Sequence, residues 1–196
     1  MKVIFLDIDG VLNCEMWYRR RFEELDRTEE TGNYPFYEFD PILIDRLNKI
    51  IDNTGAKVVV SSTWRLGRSV TELQELLDRV GFIGEVIDTT PHFIANGTDN
   101  DDNRIAYTIP RGCEIEWWLK EKGKFQRINW SIERQKEYLE KALVKNYVIL
   151  DDDSDMLYNQ REHFIKTSQY WGLSEADVKT AIKILNSDVT EIYYGM

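Results

Sequence analysis

Two aspartates one residue apart follow the first apolar run of the chain. Residues 2–6 (Lys-Val-Ile-Phe-Leu) predict a buried strand, and Asp7 and Asp9 come directly after it, followed by Gly10. An ionised carboxylate is costly to remove from water, so strand packing alone does not account for this pair. Aspartate can attack phosphorus, and a second carboxylate close by can pass protons. The pair therefore predicts a site where a cation and an anionic substrate meet.

Two later apolar runs end in polar side chains that suit the same chemistry. These runs belong to two predicted strands, residues 57–62 and 147–150. If the strands are parallel, their carboxyl ends share one edge of the sheet with the end of the first strand. The side chains at these ends are hydroxyls, a guanidinium and carboxylates: Ser61, Ser62, Arg65, Asp151 and Asp152. The full set predicts phosphoryl transfer, with a hydroxyl and a cationic group to hold the phosphoryl oxygens.

The carboxylates of this predicted site suit a bound cation. Mg²⁺ prefers carboxylate and carbonyl oxygens and keeps several of its waters. Such an ion would relieve the repulsion among the aspartates at the strand ends, which would otherwise raise one or more of their pKa values. We therefore expect a Mg²⁺ site. A calcium loop beginning at Asp151 is disfavoured, because Met156 stands where such a loop needs glycine.

Apolar runs alternate with amphipathic helical patterns along the chain. Asp40-Pro41 is typical of a helix start and Gly55 of a helix end, and Ser69 with Glu72 forms a capping box. Uniformly apolar strands between such helices indicate a Rossmann-like α/β fold, a parallel sheet with helices on both faces. Ligands bind such sheets at the carboxyl ends of the strands, which is where the polar side chains lie.

The remaining segments carry weaker patterns. Residues 95–104 predict a polar loop, and residues 13–39 are polar, aromatic and irregular. We expect 14–39 to form a small cap or flap inserted after the first strand. Further helices are predicted over 113–122, 131–144 and 174–185, and short strands over 85–88 and 163–166.

Length, charge and cysteine content narrow the class of protein. The 196 residues, 42% of them hydrophobic, predict one domain over 1–196. A net charge of -10 argues against an extended nucleic-acid track, which needs clustered lysine and arginine. The two cysteines, Cys14 and Cys113, fit neither a metal spacing nor a disulfide framework, so a cytoplasmic location is expected. Neither a signal sequence nor a run of about 20 apolar residues is visible, so no membrane partner is expected.

The motifs resemble those of haloacid-dehalogenase-like (HAD) phosphatases over nearly the whole chain. Residues 7–11 (Asp-Ile-Asp-Gly-Val) are similar to the first motif of that family, 58–61 to the second and 147–152 to the fourth. A narrower resemblance is to HAD domains found with RNA-repair modules. It rests on four segments, 61–65, 90–91, 111–119 and 148–156. The resemblance implies a phosphatase that depends on Mg²⁺ and works through an aspartyl-phosphate.

The resemblance also implies roles for the acidic residues. It makes Asp7 the nucleophile and Asp9 the acid/base. It places Asp7, the main-chain carbonyl of Asp9, and Asp151 or Asp152 around the Mg²⁺. These assignments agree with the chemistry that the residue types indicate on their own.

The remaining groups hold the phosphate. The resemblance implies that Ser61, the first polar residue after its strand, binds the phosphate. Ser62 is the alternative. The third motif of the family supplies a lysine or arginine at a helix start, and Arg111 fits that place. Three lysines are the alternatives to it: Lys120, Lys122 and Lys145. Arg65 is expected to bind substrate, its alternative role being an ion pair with an acidic residue.

The expected substrate is a small phosphorylated compound, such as a nucleotide, or a nucleic-acid end. Residues 17–22 (Trp-Tyr-Arg-Arg-Arg-Phe) follow the first motif, and their rings could stack on a base while the arginines hold phosphates. The alternative for this segment is a helix with solvated arginines and with its aromatic rings packed on the core. For the whole protein, the alternative is a phosphate-binding or regulatory protein on the same scaffold, without turnover.

Overall fold

A five-stranded parallel sheet forms the centre of the protein. The computed structural model describes residues 1–25, 39–98, 103–122 and 144–187. The strands are β1 (Lys2–Leu6), β2 (Lys57–Val60), β3 (Val86–Thr89), β4 (Ile94–Thr98), β5 (Arg104–Thr108), β6 (Asn146–Asp151) and β7 (Phe164–Lys166). The helices are α1 (Glu15–Leu25), α2 (Pro41–Thr54), α3 (Val70–Asp78), α4 (Arg111–Lys122) and α5 (Glu175–Asn186). The sheet order is β3-β2-β1-β6-β7, and every neighbouring pair is parallel, which confirms the predicted fold class.

The register of the three central strands brings their carboxyl ends level. Leu6 of β1 pairs with Val60 of β2 on one side and with Leu150 of β6 on the other. The ladder continues past these pairs, because Asp7 N donates to the Leu150 carbonyl over 3.0 Å and Ser61 N donates to the Leu6 carbonyl over 2.9 Å. The predicted site residues therefore leave the sheet side by side.

Helices cover both faces of the sheet because successive strand residues point to opposite sides. On one face, Ile4, Leu6, Val58, Val60, Val148 and Leu150 pack with apolar residues of α2, α3 and α5. On the other face, Val3, Phe5, Val59 and Ile149 pack with Ile115 and Trp118 of α4. Within the described ranges, no helix is both long enough and apolar enough to cross a membrane.

Helices α2 and α3 begin as their sequence signals predict. The Asp40 carboxylate accepts from Ile42 N over 2.9 Å at the start of α2, and Gly55 ends that helix with φ at 64°. At the start of α3, the Ser69 hydroxyl accepts from Glu72 N, and the Glu72 carboxylate accepts from Ser69 N. These caps fix where the two helices that flank β2 start and where α2 ends.

Two segments differ from their predicted structure. Residues 15–25 form α1; they lie in the segment described as irregular, for which a helix over 17–22 was one of the alternatives. Residues 95–98 and 104 of the predicted polar loop lie in an antiparallel strand pair, in which Ile94 pairs with Thr108 and Thr98 with Arg104. The helix predicted over 131–144 lies outside the described residues, apart from Val144 just before β6.

Candidate active site

Two carboxylates and one guanidinium meet at the carboxyl edge of the sheet. Asp7 follows β1, Asp151 ends β6 and Arg111 begins α4. Arg111 Nη1 lies 2.6 Å from Asp7 Oδ2 and 2.6 Å from Asp151 Oδ2. Burial alone would lower the pKa of Arg111, but the two carboxylates outweigh it and raise that pKa above its usual value. A permanent positive charge is thus fixed beside the candidate nucleophile.

The start of α4 is held by Asp155, and this contact delivers Arg111 to the site. Arg111 N donates to Asp155 Oδ2 over 2.7 Å, and Gly112 N donates to the Asp155 carbonyl over 3.2 Å. A carboxylate at a helix N-terminus is also favoured by the helix dipole. A Cβ on Gly112 would lie 2.5 Å from Leu157 N, so glycine lets α4 approach the loop after β6.

The alternatives to Arg111 do not approach Asp7 in the described part of the chain. Lys120 pairs with Glu116 one turn away on α4. Lys145 is exposed at the opposite end of β6 from Asp151. The side chain of Lys122 lies outside the described residues.

Asp152 completes a cluster of carboxylates with Asp7 and Asp151. One oxygen of each lies within 4.8 Å of the other two. Burial raises the pKa of Asp151 to about 7, and the charge of Asp7 adds to that shift. Burial and the same charge also raise the pKa of Asp152. Full ionisation of the cluster is therefore unfavourable without a further cation.

Gly10 makes room for Asp152 in this cluster. Its φ is 69°, and a Cβ at this position would lie 2.3 Å from Asp152 Cγ. Carboxylate oxygens are the ligands that Mg²⁺ prefers. The cluster therefore fits the Mg²⁺ that the sequence predicts, with Asp7, Asp151 and Asp152 as its carboxylate ligands. The Asp9 carboxylate is not in the cluster, which leaves the main-chain carbonyl of Asp9 as the implied ligand.

The two serines after β2 have different surroundings, although both are fully buried. Ser62 Oγ accepts from Trp64 N over 3.4 Å and caps the short 3₁₀ helix Thr63–Arg65. Ser61 Oγ has no hydrogen-bond partner within the described residues. A buried hydroxyl without a partner is costly, so Ser61, unlike Ser62, has hydrogen-bonding capacity that a ligand could use.

Arg65 uses all five of its N–H groups inside the protein. Nε donates to the Thr90 carbonyl, and Nη1 donates to the carbonyls of Ser61 and Ser62. Nη2 donates to the Pro91 carbonyl and to the carboxylate of Glu114. With the residue 7% exposed, no donor remains for a phosphate. The geometry therefore favours the alternative role, an internal ion pair, over the predicted substrate contact.

The Asp9 carboxylate is held by two donors that the sequence analysis did not single out. Asn13 Nδ2 donates to Asp9 Oδ1 over 2.8 Å. Trp64 Nε1 donates to Asp9 Oδ2 over 2.9 Å. Asn13 lies four residues after Asp9 in the same turn, so its contact is local. Trp64 lies in the segment after β2, so its contact is distant in sequence. A Trp directly after Ser-Ser-Thr was visible in the sequence, but nothing there paired it with Asp9.

Helix α1 carries part of an exposed surface that we call the aromatic-basic surface. The Arg19 guanidinium lies 5.6 Å from the centroid of the Tyr170 ring, and the Tyr170 and Trp171 rings meet edge to face at 4.7 Å. Tyr18 and Phe22, four residues apart on α1, are 46% and 73% exposed. Trp17, by contrast, packs against the core. Of the two alternatives for this segment, core packing therefore describes Trp17, and an exposed surface describes Tyr18 and Phe22. The surface consists of Tyr18, Arg19, Phe22, Tyr170 and Trp171.

The loop that carries Tyr170 and Trp171 is joined to the active-site edge. Thr167 N donates to the Asp151 carbonyl over 2.9 Å, and Thr167 Oγ1 donates to the Gly10 carbonyl over 2.8 Å. Met16 N donates to the Tyr170 carbonyl over 3.2 Å. The aromatic-basic surface therefore borders the same edge of the sheet as the carboxylate cluster.

The parallel sheet with helices on both faces is a Rossmann-like α/β domain, consistent with a HAD domain. A family model described as the HAD domain in Swiss Army Knife RNA repair proteins matches residues 3–178. The chain belongs to this family, within a superfamily of hydrolases. The match runs from β1 into α5, and it confirms the narrower resemblance as well as the broader one. No curated protein and no solved structure matches the chain.

Proposed function

We propose that the protein is a Mg²⁺-dependent phosphatase that works through an aspartyl-phosphate at Asp7. The observation that carries this proposal is the contact of one Arg111 nitrogen with both Asp7 and Asp151. The same edge holds the unpaired hydroxyl of Ser61. A nucleophile, a fixed positive charge and oxygen ligands for a cation are the parts that phosphoryl transfer needs.

The proposed reaction has two displacement steps. In the first step, an oxygen of Asp7 bonds to phosphorus while the bond from phosphorus to the leaving oxygen breaks, and Asp9 gives its proton to that oxygen. In the second step, Asp9 takes a proton from water as the water oxygen bonds to phosphorus. The bond from phosphorus to Asp7 then breaks, inorganic phosphate leaves, and Asp9 is again protonated.

Arg111 and Ser61 form the proposed clamp on the phosphoryl oxygens. The Arg111 charge is held in place by its contacts with Asp7 and Asp151, so little reorganisation is needed when the phosphate arrives. The Ser61 hydroxyl gains in the bound phosphate the partner that it lacks among the described residues. Mg²⁺ bound to the carboxylate cluster would neutralise phosphate charge as the Asp7 carboxylate approaches.

We propose a nucleotide or a nucleic-acid end as the substrate. The family match to domains of RNA-repair proteins supports this class. The aromatic-basic surface supports it too, since aromatic rings can stack on a base and Arg19 can hold a phosphate. The net charge of -10 favours an end or a mononucleotide over a long polynucleotide track.

We also propose that residues 14–39 act as a flap over the mouth of the site within a single domain. Its described beginning, α1, lies against the loop that is joined to Gly10 and Asp151. Phe39, just after this segment's undescribed part, packs on Trp64 at a ring distance of 5.3 Å. Both described ends of the segment therefore border the candidate site. Finally, the free thiols of Cys14 and Cys113 agree with a cytoplasmic location.

The test of turnover uses Asp7→Asn, which keeps the side-chain shape and removes the attacking charge. With Mg²⁺ and p-nitrophenyl phosphate, we expect kcat/KM to fall by at least about 10³-fold. Asp45→Asn, an exposed change on α2, is the control and should retain full activity. Full activity in Asp7→Asn would refute the proposal.

The test of substrate class compares sugar phosphates, mononucleotides and oligonucleotides with a terminal phosphate. We expect the highest kcat/KM with the nucleotide substrates, and preference for sugar phosphates would refute this part of the proposal. Tight binding of phosphate ligands without Mg²⁺-dependent turnover on any of them would favour the alternative, a binding or regulatory protein.

A further inference from the structure

Trp64 links the segment after β2 to the acid/base residue after β1. Its indole Nε1 donates to Asp9 Oδ2 over 2.9 Å, across 55 positions of sequence. Asn13 Nδ2 donates to the other oxygen, Oδ1, over 2.8 Å. Each oxygen of the Asp9 carboxylate thus accepts one N–H. Asp9 is exposed, and among the described residues these two donors restrict its side chain.

Asn13 is itself fixed and can therefore orient Asp9. Its residue is 1% exposed, and its Oδ1 accepts from Gly10 N over 3.1 Å. Both ends of the Asn13 amide are therefore hydrogen-bonded: the oxygen to the backbone of the turn and the nitrogen to the Asp9 carboxylate. The contact between Asn13 and Asp9 therefore forms within the turn after β1 and needs no other segment.

Trp64 is fixed by contacts on several sides. Its N donates to Ser62 Oγ, and its carbonyl accepts from Arg68 Nη1 over 2.9 Å. The Arg68 guanidinium lies 5.6 Å from the centroid of the indole ring, and the Phe39 ring lies 5.3 Å from it. The next residue, Arg65, is anchored through all of its N–H groups. The indole N–H therefore reaches Asp9 from a rigid support.

We propose that Trp64, together with Asn13, is a positioning residue for the proton transfers of Asp9. This inference rests on the proposed phosphatase function and adds to it a residue outside the predicted set. Asp9 must present its proton to the leaving oxygen at the moment when the bond from phosphorus to that oxygen breaks.

Leaving-group dependence separates this role from a structural one. A p-nitrophenolate leaves readily without a proton, whereas an alkoxide needs one as it departs. Loss of a well-placed acid therefore slows an alkyl phosphate more than p-nitrophenyl phosphate. The parameter kcat/KM reports this step, because it covers everything up to departure of the leaving group.

The experiment compares wild-type protein and Trp64→Phe on glycerol 3-phosphate and p-nitrophenyl phosphate. The phenyl ring keeps an aromatic contact and removes the N–H. We expect kcat/KM for glycerol 3-phosphate to fall at least about tenfold, and that for p-nitrophenyl phosphate by less than about threefold. If Trp64→Phe folds poorly, benzothienylalanine at position 64 keeps the bicyclic shape without the N–H and should give the same split.

Trp118→Phe is the matched control. Trp118 Nε1 also donates to a carboxylate over 2.9 Å, that of Asp88, two turns along α4 from Arg111. Removing this N–H should change kcat/KM for both substrates by the same small factor. An equal effect of Trp64→Phe on both substrates, or no effect, would overturn the positioning role alone. Absence of turnover in the wild-type protein would overturn the proposed function and this inference together.

Discussion

Arg65 and Glu114 form a buried ion pair that joins the segment after β2 to α4. Arg65 Nη2 donates to Glu114 Oε2 over 2.6 Å, and the two side chains are 5% and 3% exposed. Glu114 Oε1 also accepts from Phe93 N over 2.8 Å, just before the β4–β5 hairpin. One carboxylate thus holds three segments at the edge of the sheet that carries the candidate site.

Glu114→Ala should destabilise the fold strongly, because it leaves the Arg65 charge buried without its partner. We expect the free energy of unfolding to fall by about 3–5 kcal/mol in urea denaturation. Glu116→Ala, which removes the partly exposed pair with Lys120 on the same helix, is the control and should cost less than about 1 kcal/mol. If the two variants lost similar amounts of unfolding free energy, the buried pair would contribute no more to stability than the pair of Glu116 with Lys120.

Ser61→Ala should reduce activity without reducing stability. The Ser61 hydroxyl has no described partner to lose, so the free energy of unfolding should stay constant or rise. Loss of one donor to the phosphoryl oxygens should lower kcat/KM by about 10²-fold. Ser62→Ala should behave in the opposite way, losing about 1 kcal/mol of stability with the cap on Trp64 N while retaining activity. A reversed pattern would make Ser62 the phosphate ligand.

Gly10→Ala should weaken Mg²⁺ binding by displacing Asp152. The new Cβ would lie 2.3 Å from Asp152 Cγ, and φ at this position is +69°. Calorimetric titration with Mg²⁺ should show Kd raised about tenfold or more. Gly55→Ala is the control, since φ is +64° there but nothing lies within 4 Å of the added Cβ. It should lose about 1 kcal/mol of stability and leave Mg²⁺ binding unchanged. Equal Kd values for Gly10→Ala and the wild type would remove Asp152 from the ligand set.

Tyr147 should make the protein less stable in alkaline solution. Burial, aided by the charge of Glu116, raises the pKa of Tyr147 from 10.0 to about 12. Between these values the unfolded chain loses the proton while the folded chain keeps it, so the free energy of unfolding falls as pH rises. The total fall across this window is of the order of 2 kcal/mol.

Tyr147→Phe removes this titration and keeps the ring contacts with Phe5 and His163. Urea denaturation from pH 9 to pH 12 should therefore show a shallower loss of stability in the variant. Tyr158→Phe, at a residue 81% exposed, should follow the wild-type slope. Parallel curves for wild type and Tyr147→Phe would refute the assignment.

The framework of the site was predictable because its signals are local. The cap at Asp40 and the glycine at Gly55 mark both ends of α2, and the predicted strand 57–62 contains β2 and the two serines after it. Given a parallel sheet, the polar residues after each run had to meet at one edge. That reasoning needed only residue types and the order of elements.

The β4–β5 hairpin could not be predicted in the same way. Its strands expose side chains on both faces, and the exposed positions include both Ile94 and Tyr107. Without one buried face, a strand has no alternation of apolar and polar residues to reveal it. The two strands are held by backbone hydrogen bonds to each other and by the contact of Phe93 N with Glu114. Neither interaction can be predicted from residue types.

The roles of Arg65 and Trp64 could not be predicted from the sequence either, but for a different reason. An arginine after a strand can bind phosphate or support the backbone, and the choice depends on how many of its donors are already used. That count comes from carbonyl groups as distant as Pro91. In the same way, the indole of Trp64 finds Asp9 only after β1 and β2 have paired.

Arg111 and Glu114 stand three residues apart on the first turn of α4, and each is committed to a different partner. Because an α-helix rotates about 100° per residue, adding or removing one residue between them would turn one side chain away from its partner. The two contacts therefore hold only while the interval from 111 to 114 stays at three residues, whereas a change of length between β4 and β5 leaves that interval untouched. A single-residue insertion between Arg111 and Glu114 should abolish activity or folding, whereas the same insertion at the hairpin tip should be tolerated.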